Sequence, residues 1–212
     1  MSVSAGLRVD QKHPRYDSPK ITVASPENKQ SQVELFDLET LLSPTVFVLP
    51  RRECVVVPIT AEFAGALLGT DLQYTFLDVP EAQFLSRRTY FNTIRAARIM
   101  KRRSAIAFYE SSRSGGRGAI VALGRIIEVT SVSVDNIPEF MQRAAVVENP
   151  GKITKSKRVL ATVFDNLLPL KIPVALKVLK NIGCAPSSNF ISAAQISSSH
   201  LEKIVVKGFG NG

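Results

Sequence analysis

Two apolar runs on either side of a polar, glycine-rich stretch decide the fold of this chain: SAIAFYESSRSGGRGAIVALGRIIEVTSVSV, residues 104–134. Both runs are rich in β-branched and aromatic residues, and such short runs bounded by turn residues are typical of strands. The stretch between them, 112–118, has glycines at positions where a tight turn needs them. It also fits an R-x-x-G-x-G pyrophosphate loop, but that loop requires a helix directly after it, and here a strand pattern follows. The segment therefore predicts a β-hairpin.

Upstream of this hairpin, the sequence predicts two helices and two strands. Residues 33–42, VELFDLETLL, place four leucines on one helical face, namely Leu35, Leu38, Leu41 and Leu42. Ser43-Pro44 ends that helix. Residues 45–49, TVFVL, and 53–59, ECVVVPI, are predicted strands, the second of them buried. Residues 61–69, AEFAGALLG, predict a short helix that ends at Gly69.

The rest of the chain predicts further short elements. We expect residues 80–101 to be partly helical, 137–146 to form a short helix, and 158–170 to form a strand that ends near Pro169. A helix should follow from Pro173 to Gly183, and a last helix should begin at Ser197 or Ser198. Short strands interleaved with short helices favour an α+β fold over a doubly wound sheet.

Composition limits the class of protein. Apolar residues make up 45% of the 212-residue chain, enough for a core, and no apolar run reaches the roughly 18 residues that a membrane span needs. The first 20 residues lack the apolar stretch of a secretory signal. The two cysteines, Cys54 and Cys184, and two distant histidines show no metal-ligand spacing. We therefore expect a cytoplasmic protein with no membrane contact, no cofactor and no metal, in which residues 1–30 are a disordered tail, 31–52 a lead-in and 53–212 the main domain.

Positive charge is concentrated in one segment. The whole chain carries a net +9, and residues 87–125 contain ten Lys or Arg against a single acid, Glu110, which is again +9. Concentrated charge of one sign attracts polyanions, whereas scattered charge only aids solubility. The segment predicts a nucleic-acid ligand, RNA or DNA, and the alternatives that remain open are an acidic protein partner and a merely solvated face.

Individual residues of this segment have distinct predicted roles. The phosphate-binding candidates are Arg87, Arg88, Arg95, Arg98, Lys101, Arg102 and Arg103, with Arg113 and Arg117 in the glycine-rich turn. The candidates that would approach a base are Tyr90, Asn92, Tyr109 and Ser111. Aromatic rings stack on bases and Asn pairs with base edges, while strand alternation sends Tyr109 and Ser111 to one face. The competing interpretation is that Phe91 and its neighbours pack inward and that Tyr109 is an ordinary strand end.

A family resemblance accompanies these patterns. The strand CVVVPIT with its following helix and basic stretch, the run IAFYES with the glycine-led strand GAIVALGRI, and FDNLLPLKIPVALKVLKNIG followed by SSNFISAAQIS resemble the PUA-like superfamily, especially its EVE and ASCH branches. The resemblance covers Glu53 to about Val206. It implies a small, partly closed β-barrel with surrounding helices and a pocket or groove for RNA or a modified nucleobase. The tryptophan usual near the start of EVE domains is missing here.

Two alternative functions stay open beside nucleic-acid binding. An ASCH-type enzyme acting on RNA or a modified nucleobase would need a lysine or acid with a shifted pKa in its pocket, and Lys101 and Glu110 are the candidates. The Lys, Thr and acid of the ASCH enzymes do not map onto this chain. A non-enzymatic adaptor would present the basic face to an acidic protein. We expect a binding protein rather than an enzyme, and assign no catalytic residue.

Overall fold

The computed structural model describes residues 20–24, 30–69, 86–146, 156–185 and 189–210. The described strands are β1 Lys20–Ala24, β2 Gln30–Glu34, β3 Cys54–Ile59, β4 Arg88–Asn92, β5 Ala105–Glu110, β6 Ala119–Ser133, β7 Arg158–Ala175 and β8 Ala194–Ile196. The α-helices are α1 Leu35–Leu41, α2 Ala61–Leu68, α3 Glu139–Arg143, α4 Leu176–Asn181 and α5 Ser198–Phe209. Two 3-10 helices cover Ile94–Arg98 and Ser112–Ser114.

Six strands form one sheet in the order β4-β7-β6-β5-β3-β8. Strands β3 and β5 are parallel and the other neighbours are antiparallel, including the predicted β5–β6 hairpin. The mixed α and β class is thus confirmed. No hydrogen-bonded ladder joins β4 to β8 across the described ranges, so the sheet is open and the predicted partial closure into a barrel is not confirmed.

Helices cover both faces of the sheet. Ile106 and Phe108 of β5 belong to one core layer, which packs under α2 and the 3-10 helix Ile94–Arg98. Tyr109, with Ala105 and Ala107, belongs to the other, which packs under α4 and α5. Because side chains alternate along a strand, these two layers lie on opposite faces of the sheet. The helical elements on the two faces are consequently separated by the sheet itself.

The predicted helix ends are confirmed where short-range capping sets them. Thr60 precedes α2, and its hydroxyl accepts a hydrogen bond from Phe63 N at 3.1 Å, while Gly69 ends the helix with φ of 67°. Ser197 precedes α5, and its hydroxyl accepts from His200 N at 3.3 Å. Each cap requires only residues within a few positions of itself, which is why the sequence pattern predicts it.

The N-terminal region differs from its prediction in two ways. Residues 20–24 of the predicted tail form strand β1, which pairs with β2, and the last tail residue, Gln30, begins β2; three consecutive β-branched residues, 21–23, favour a strand. The remaining tail positions, 1–19 and 25–29, lie outside the described residues. Helix α1 is confirmed, but its predicted apolar face is wrong, because Phe36 and Glu39 are buried whereas Leu41 and Leu42 are 63% and 52% exposed.

Residues 45–49 do not form the predicted strand. The backbone groups of these residues form hydrogen bonds with side chains instead of with a neighbouring strand. Phe47 N donates to Glu39 Oε1 at 2.5 Å, Phe47 O accepts from Arg52 at 2.8 Å, and Thr45 O accepts from Asn166 at 2.7 Å. The strand predicted from the β-branched pattern is therefore wrong, because these backbone groups bond to side chains instead of to a neighbouring strand.

Two further differences concern proline-containing and basic stretches. Strand β7 continues through Pro169 and Pro173, and α4 begins only at Leu176. The β6–β7 pairing has register shifts beside Pro169, and such irregular positions tolerate a residue that has no N–H. Within the stretch 80–101, residues 80–85 lie outside the described part, 88–92 form a strand, and only Ile94–Arg98 is helical.

Candidate nucleic-acid interface

Four of the predicted phosphate-binding residues lie in or shortly after the 3-10 helix, and a fifth, Arg87, directly precedes β4. They form what we call the arginine surface: Arg87, Arg95, Arg98, Lys101 and Arg102. Ala96 anchors the helix in the core, which leaves Arg95 and Arg98 exposed on its outer side. None of the five forms an ion pair with an acid in the part of the chain that the structure describes. Their charge is therefore available to a ligand.

Arg102 is the most strongly perturbed cation of this surface. Burial lowers the pKa of its guanidinium, and the neighbouring charge of Arg103 lowers it further, while Asp37 and Glu128 oppose the shift. Its Nε is buried without a hydrogen-bond partner among the described residues. An anion placed beside Arg102 would relieve the repulsion from Arg103, so this position favours a negatively charged ligand.

Arg103 does not belong to the surface, and its prediction as a phosphate-binding residue is corrected. Its backbone has a left-handed φ of 69°, and its side chain is buried. The guanidinium pairs with Glu34 at 2.5 Å and lies over the Phe36 ring, 5.4 Å from its centroid. A buried, paired guanidinium is not free to bind a phosphate.

Phe36 is the centre of a buried charge network that the sequence patterns did not reveal. The guanidinium carbons of Arg125, Arg103 and Arg52 lie 4.5, 5.4 and 5.9 Å from its ring centroid. Arg52 also pairs with the fully buried Glu39. Burial in this network keeps each cation opposite a carboxylate or an aromatic face. Residues 31–52 are thus packed into the main domain rather than leading into it.

Arg88, Tyr90 and Asn92 share one face of β4, on the side of α2. Arg88 donates to Leu67 O at the end of α2. Tyr90 donates to Pro58 O at 3.4 Å and meets Phe63 edge-on, with ring centroids 5.4 Å apart. Asn92 Oδ1 accepts from Thr93 N at 2.7 Å. Burial raises the pKa of Tyr90 to about 12. Tyr90 is consequently held against the core, and Arg88 and Asn92 keep polar atoms nearer the surface.

Arg88 lines a small polar cleft of about 180 Å³. The other lining residues are Ser43, Pro44, Ser86, Phe164, Asp165, Asn166 and Leu167. Asn166 has a left-handed φ of 50°, and its amide donates to Glu39 O at 2.8 Å and to Thr45 O at 2.7 Å. The cleft thus combines a cation with a carboxylate and a fixed amide. From the sequence, Asp165 and Asn166 were expected to orient a backbone turn or cap and were assigned no catalytic role, and the Asn166 amide does hold two backbone carbonyls.

The glycine-rich hairpin lies at the other end of β5 and does not join the arginine surface. Lys101 and Arg102 precede β5, whereas Ser111, Arg113 and Arg117 follow it, and a six-residue strand spans roughly 17–20 Å. Arg113 is exposed, and Arg117 donates to Glu110 at 2.7 Å. Ser111 Oγ accepts from Arg113 N at 3.3 Å and so caps the turn.

Tyr109 is corrected from a base-contacting residue to a core residue. Its side chain is 0% exposed and packs against Phe190, with ring centroids 5.1 Å apart. Burial raises the pKa of Tyr109, and its hydroxyl has no hydrogen-bond partner among the residues described. A base cannot reach this ring in the folded protein.

The structure separates the two residues that an ASCH-type enzyme would use. Lys101 precedes β5 and donates to Ala97 O at 3.2 Å, whereas Glu110 ends β5 and is occupied by Arg117. In the described ranges, no three His, Cys, Asp or Glu side chains lie close enough to hold a metal ion. Cys54 and Cys184 are buried, and burial raises the pKa of both thiols. None of the helices described is long and apolar enough to cross a membrane.

A second, wider cleft of about 600 Å³ lies at the opposite edge of the sheet. Its lining residues are Arg51, Glu53, Gln195, Ile196, Ser197 and Ser198. None of these residues was a sequence candidate, and no residue of the arginine surface reaches it.

Comparison with known proteins supplies a fold but no close relative. No protein-family model matches the chain, and no curated protein matches it. The chain is similar to the crystal structure of ASCH from Zymomonas mobilis, with a TM-score of 0.53 at 14% identity over 73% of this chain and 94% of that one. A variant of the same protein with alanine in place of a serine gives a TM-score of 0.55 at 15% identity over 75% and 99%. The chain therefore has the fold of the PUA-like, ASCH-type domains, as the sequence resemblance predicts.

Proposed function

We propose that this protein binds nucleic acid, with the arginine surface holding phosphates and the Arg88 cleft receiving a base. The observation that carries the proposal is the arginine surface itself, five neighbouring cations without an acidic partner among the described residues. Four of the five are arginines, whose planar guanidinium groups match phosphate oxygens in pairs.

Fewer cations are available to a ligand than the sequence count suggests. Arg103, Arg117 and Arg125 are engaged by Glu34, Glu110 and Asp165, so the ligand meets fewer cations than the sequence count of ten. Asp37 and Glu128 lie near Arg102 without pairing with it.

The Arg88 cleft adds selectivity to an otherwise sequence-independent contact. Its volume is below the roughly 300–1,000 Å³ of pockets that enclose whole drug-sized ligands, so it suits a single planar group. Arg88 supplies donors of the kind that read base edges, whereas the Asp165 carboxylate is already held by Arg125. Ser86 and Arg88 line the cleft and flank the exposed Arg87. A strand held by its phosphates would thereby place an unpaired or modified base within reach, in RNA or in DNA.

A salt series on short labelled RNA and DNA tests this function. Each phosphate that is neutralised releases condensed counterion, so log affinity falls linearly with log salt, by about 0.7 per contact for a single strand. Four engaged cations give a slope of roughly −3. The double variant Arg95→Glu, Arg98→Glu should flatten the slope and weaken binding to every sequence alike.

A control variant with the same change in net charge shows whether the effect is specific to the arginine surface. The variant Arg113→Glu, Lys171→Glu makes the same change in net charge at two exposed positions toward the hairpin end of the sheet. It should keep the wild-type slope. If both variants weaken binding equally, the effect is one of overall charge and the arginine surface has no specific role. If the wild type binds neither RNA nor DNA at low salt, an acidic protein becomes the expected partner.

A further inference from the structure

A second cationic surface covers the face of the sheet opposite the arginine surface. Its members, which we call the lysine surface, are Lys177 and Lys180 of α4 and Lys203 and Lys207 of α5. The spacings i, i+3 and i, i+4 place each pair on one side of its helix. All four side chains are exposed, while Leu179, Leu201 and Ile204 on the inner sides of the helices are buried.

The first turn of α5 lies beside the C-terminal end of α4, and both helices pack on the same core layer, so the two lysine pairs lie on the same face of the protein. His200 Nε2 of α5 is 3.9 Å from the Cβ position of Gly183, directly after α4. Burial raises the pKa of Cys184, and the charge of Lys203 opposes this shift, which places that lysine close to the end of α4. The lysine pair of α5 therefore faces the end of α4 that carries Lys180.

Little negative charge offsets these lysines. Glu202 is the sole acid in the sequence between residues 168 and 210. None of the four lysines pairs with an acid in the ranges that the structure describes. The surface presents compact ammonium charges on flexible stems, which suit the sequence-independent contact of a phosphate backbone.

The two cationic surfaces belong to opposite core layers. Ala96 fixes the 3-10 helix of the arginine surface to the layer that contains Phe108, whereas Leu179 and Leu201 fix α4 and α5 to the layer that contains Tyr109. A helix packs roughly 10 Å from the element beneath it, so about 20 Å separates the helical elements on the two sides. One short strand held on the arginine surface leaves the lysine surface unoccupied.

We infer that the lysine surface binds a second nucleic-acid segment, so that one protein molecule bridges two strands. This inference rests on the proposed function of the arginine surface. The two surfaces differ in their expected contributions, because the first adds a polar cleft to its phosphate contacts and the second has phosphate contacts alone.

Energy transfer between two oligonucleotides tests bridging directly. Two single strands of about six nucleotides, near the short end of single-strand site sizes, carry a donor and an acceptor dye respectively. Wild-type protein should bring the dyes together, and the variant Lys177→Gln, Lys180→Gln, Lys203→Gln, Lys207→Gln should abolish the transfer. Because distant sites act independently, anisotropy of one labelled strand should show less than about a threefold loss of affinity in that variant.

A two-charge comparison guards against an unspecific charge effect. Lys203→Gln, Lys207→Gln should reduce the transfer, whereas Lys157→Gln, Lys171→Gln should leave it at the wild-type level. Exposed substitutions of this kind seldom change stability by more than about 0.5 kcal/mol, and thermal melting checks that the fold is intact.

The outcomes separate the two proposals. Transfer that persists in the four-lysine variant overturns bridging by the lysine surface, and it points to self-association through copies that each hold one strand. Absence of transfer with wild-type protein that is saturated by one strand also overturns it, while nucleic-acid binding itself stands. Absence of any anisotropy change with wild type overturns the function on which the inference rests.

Discussion

Arg125 and Asp165, on the adjacent strands β6 and β7, form a bidentate ion pair inside the protein. Nε and Nη2 of the arginine donate to the two carboxylate oxygens at 2.8 and 2.7 Å, and both side chains are buried. The arginine also donates to Phe36 O at 2.5 Å and to Thr40 Oγ1 at 2.9 Å. A single guanidinium thus joins the two longest strands to α1.

Removing the carboxylate should leave a buried charge without its main partner. We expect Asp165→Asn to lower the free energy of unfolding by about 3 kcal/mol, since broken buried pairs cost roughly 3–5 kcal/mol. The lower end applies because Glu39 remains 3.6 Å from Arg125. Urea unfolding measures the change, and Asp135→Asn, at an exposed position, is the control. An effect as small as that of the control would show that the ion pair contributes little.

Truncation tests whether residues 31–52 belong to the domain. A chain that begins at Glu53 lacks Glu34, Phe36 and Thr40, the partners of Arg103 and Arg125. We expect it to lack a cooperative thermal transition by circular dichroism, because buried guanidinium groups would lose their ligands. A chain that begins at Lys20 retains the network and should melt as the full chain does. A cooperative transition in the shorter chain would restore the boundary at residue 53.

Two adjacent glycines of the hairpin should respond differently to the same substitution. A Cβ at Gly116 would overlap Ser111 O and lie 2.8 Å from Glu110 Cγ, whereas a Cβ at Gly115 has open space around it. Gly115→Ala should cost about 1–2 kcal/mol, because its φ of 77° is unfavourable for an L-residue. Gly116→Ala should cost more, because backbone must move and Arg117 then separates from Glu110. Equal losses in chemical denaturation would contradict the difference in crowding.

Features that depend on near neighbours could be predicted from the sequence. Strand β3 follows from a β-branched run, α2 from Thr60 and Gly69 at its ends, and the β5–β6 hairpin from the glycine-rich stretch between two apolar runs. Each of these depends on contacts within a few positions along the chain.

Features that depend on distant partners could not be predicted in this way. The ten cations of residues 87–125 suggested one surface, but Arg103 and Arg125 are bound by acids 69 and 40 positions away. Strand alternation assigned Tyr109 to one face of the sheet. The burial of its ring against Phe190 depends instead on how the C-terminal part of the chain packs on that face. Nothing in the pattern of residues 33–42 showed that arginines would bury Glu39 and leave Leu41 exposed.

The raised pKa of Tyr90 predicts that the folded protein loses stability at alkaline pH. Burial raises the pKa of its phenol from the ordinary value near 10 to about 12, so the folded protein favours the neutral form. The contribution of the neutral phenol to the free energy of unfolding is complete below pH 10, and it is lost as the pH rises from 10 to 12. Because burial raises the pKa of both Tyr90 and Tyr109, tyrosinate absorbance should show two late-ionising groups, and Tyr90→Phe should remove one of them while Tyr109→Phe leaves that of Tyr90. A titration unchanged by Tyr90→Phe would contradict the burial of that hydroxyl.

The Arg88 cleft gives a prediction that separates base contact from phosphate contact. Arg88→Lys keeps the positive charge but removes the planar set of donors, so binding of a base-bearing strand should weaken by about 1–3 kcal/mol, the range for one bidentate base contact. Affinity for an abasic strand of the same length, and the dependence of binding on salt, should change little because charge is conserved. Arg51→Lys, at an exposed position on the opposite edge of the sheet, should affect neither ligand. Arg88 also donates to Leu67 O, so the melting temperature of each variant must accompany the binding data. Equal weakening for both strands, with a lowered melting temperature, would mean that Arg88 supports α2 and that the cleft does not receive a base.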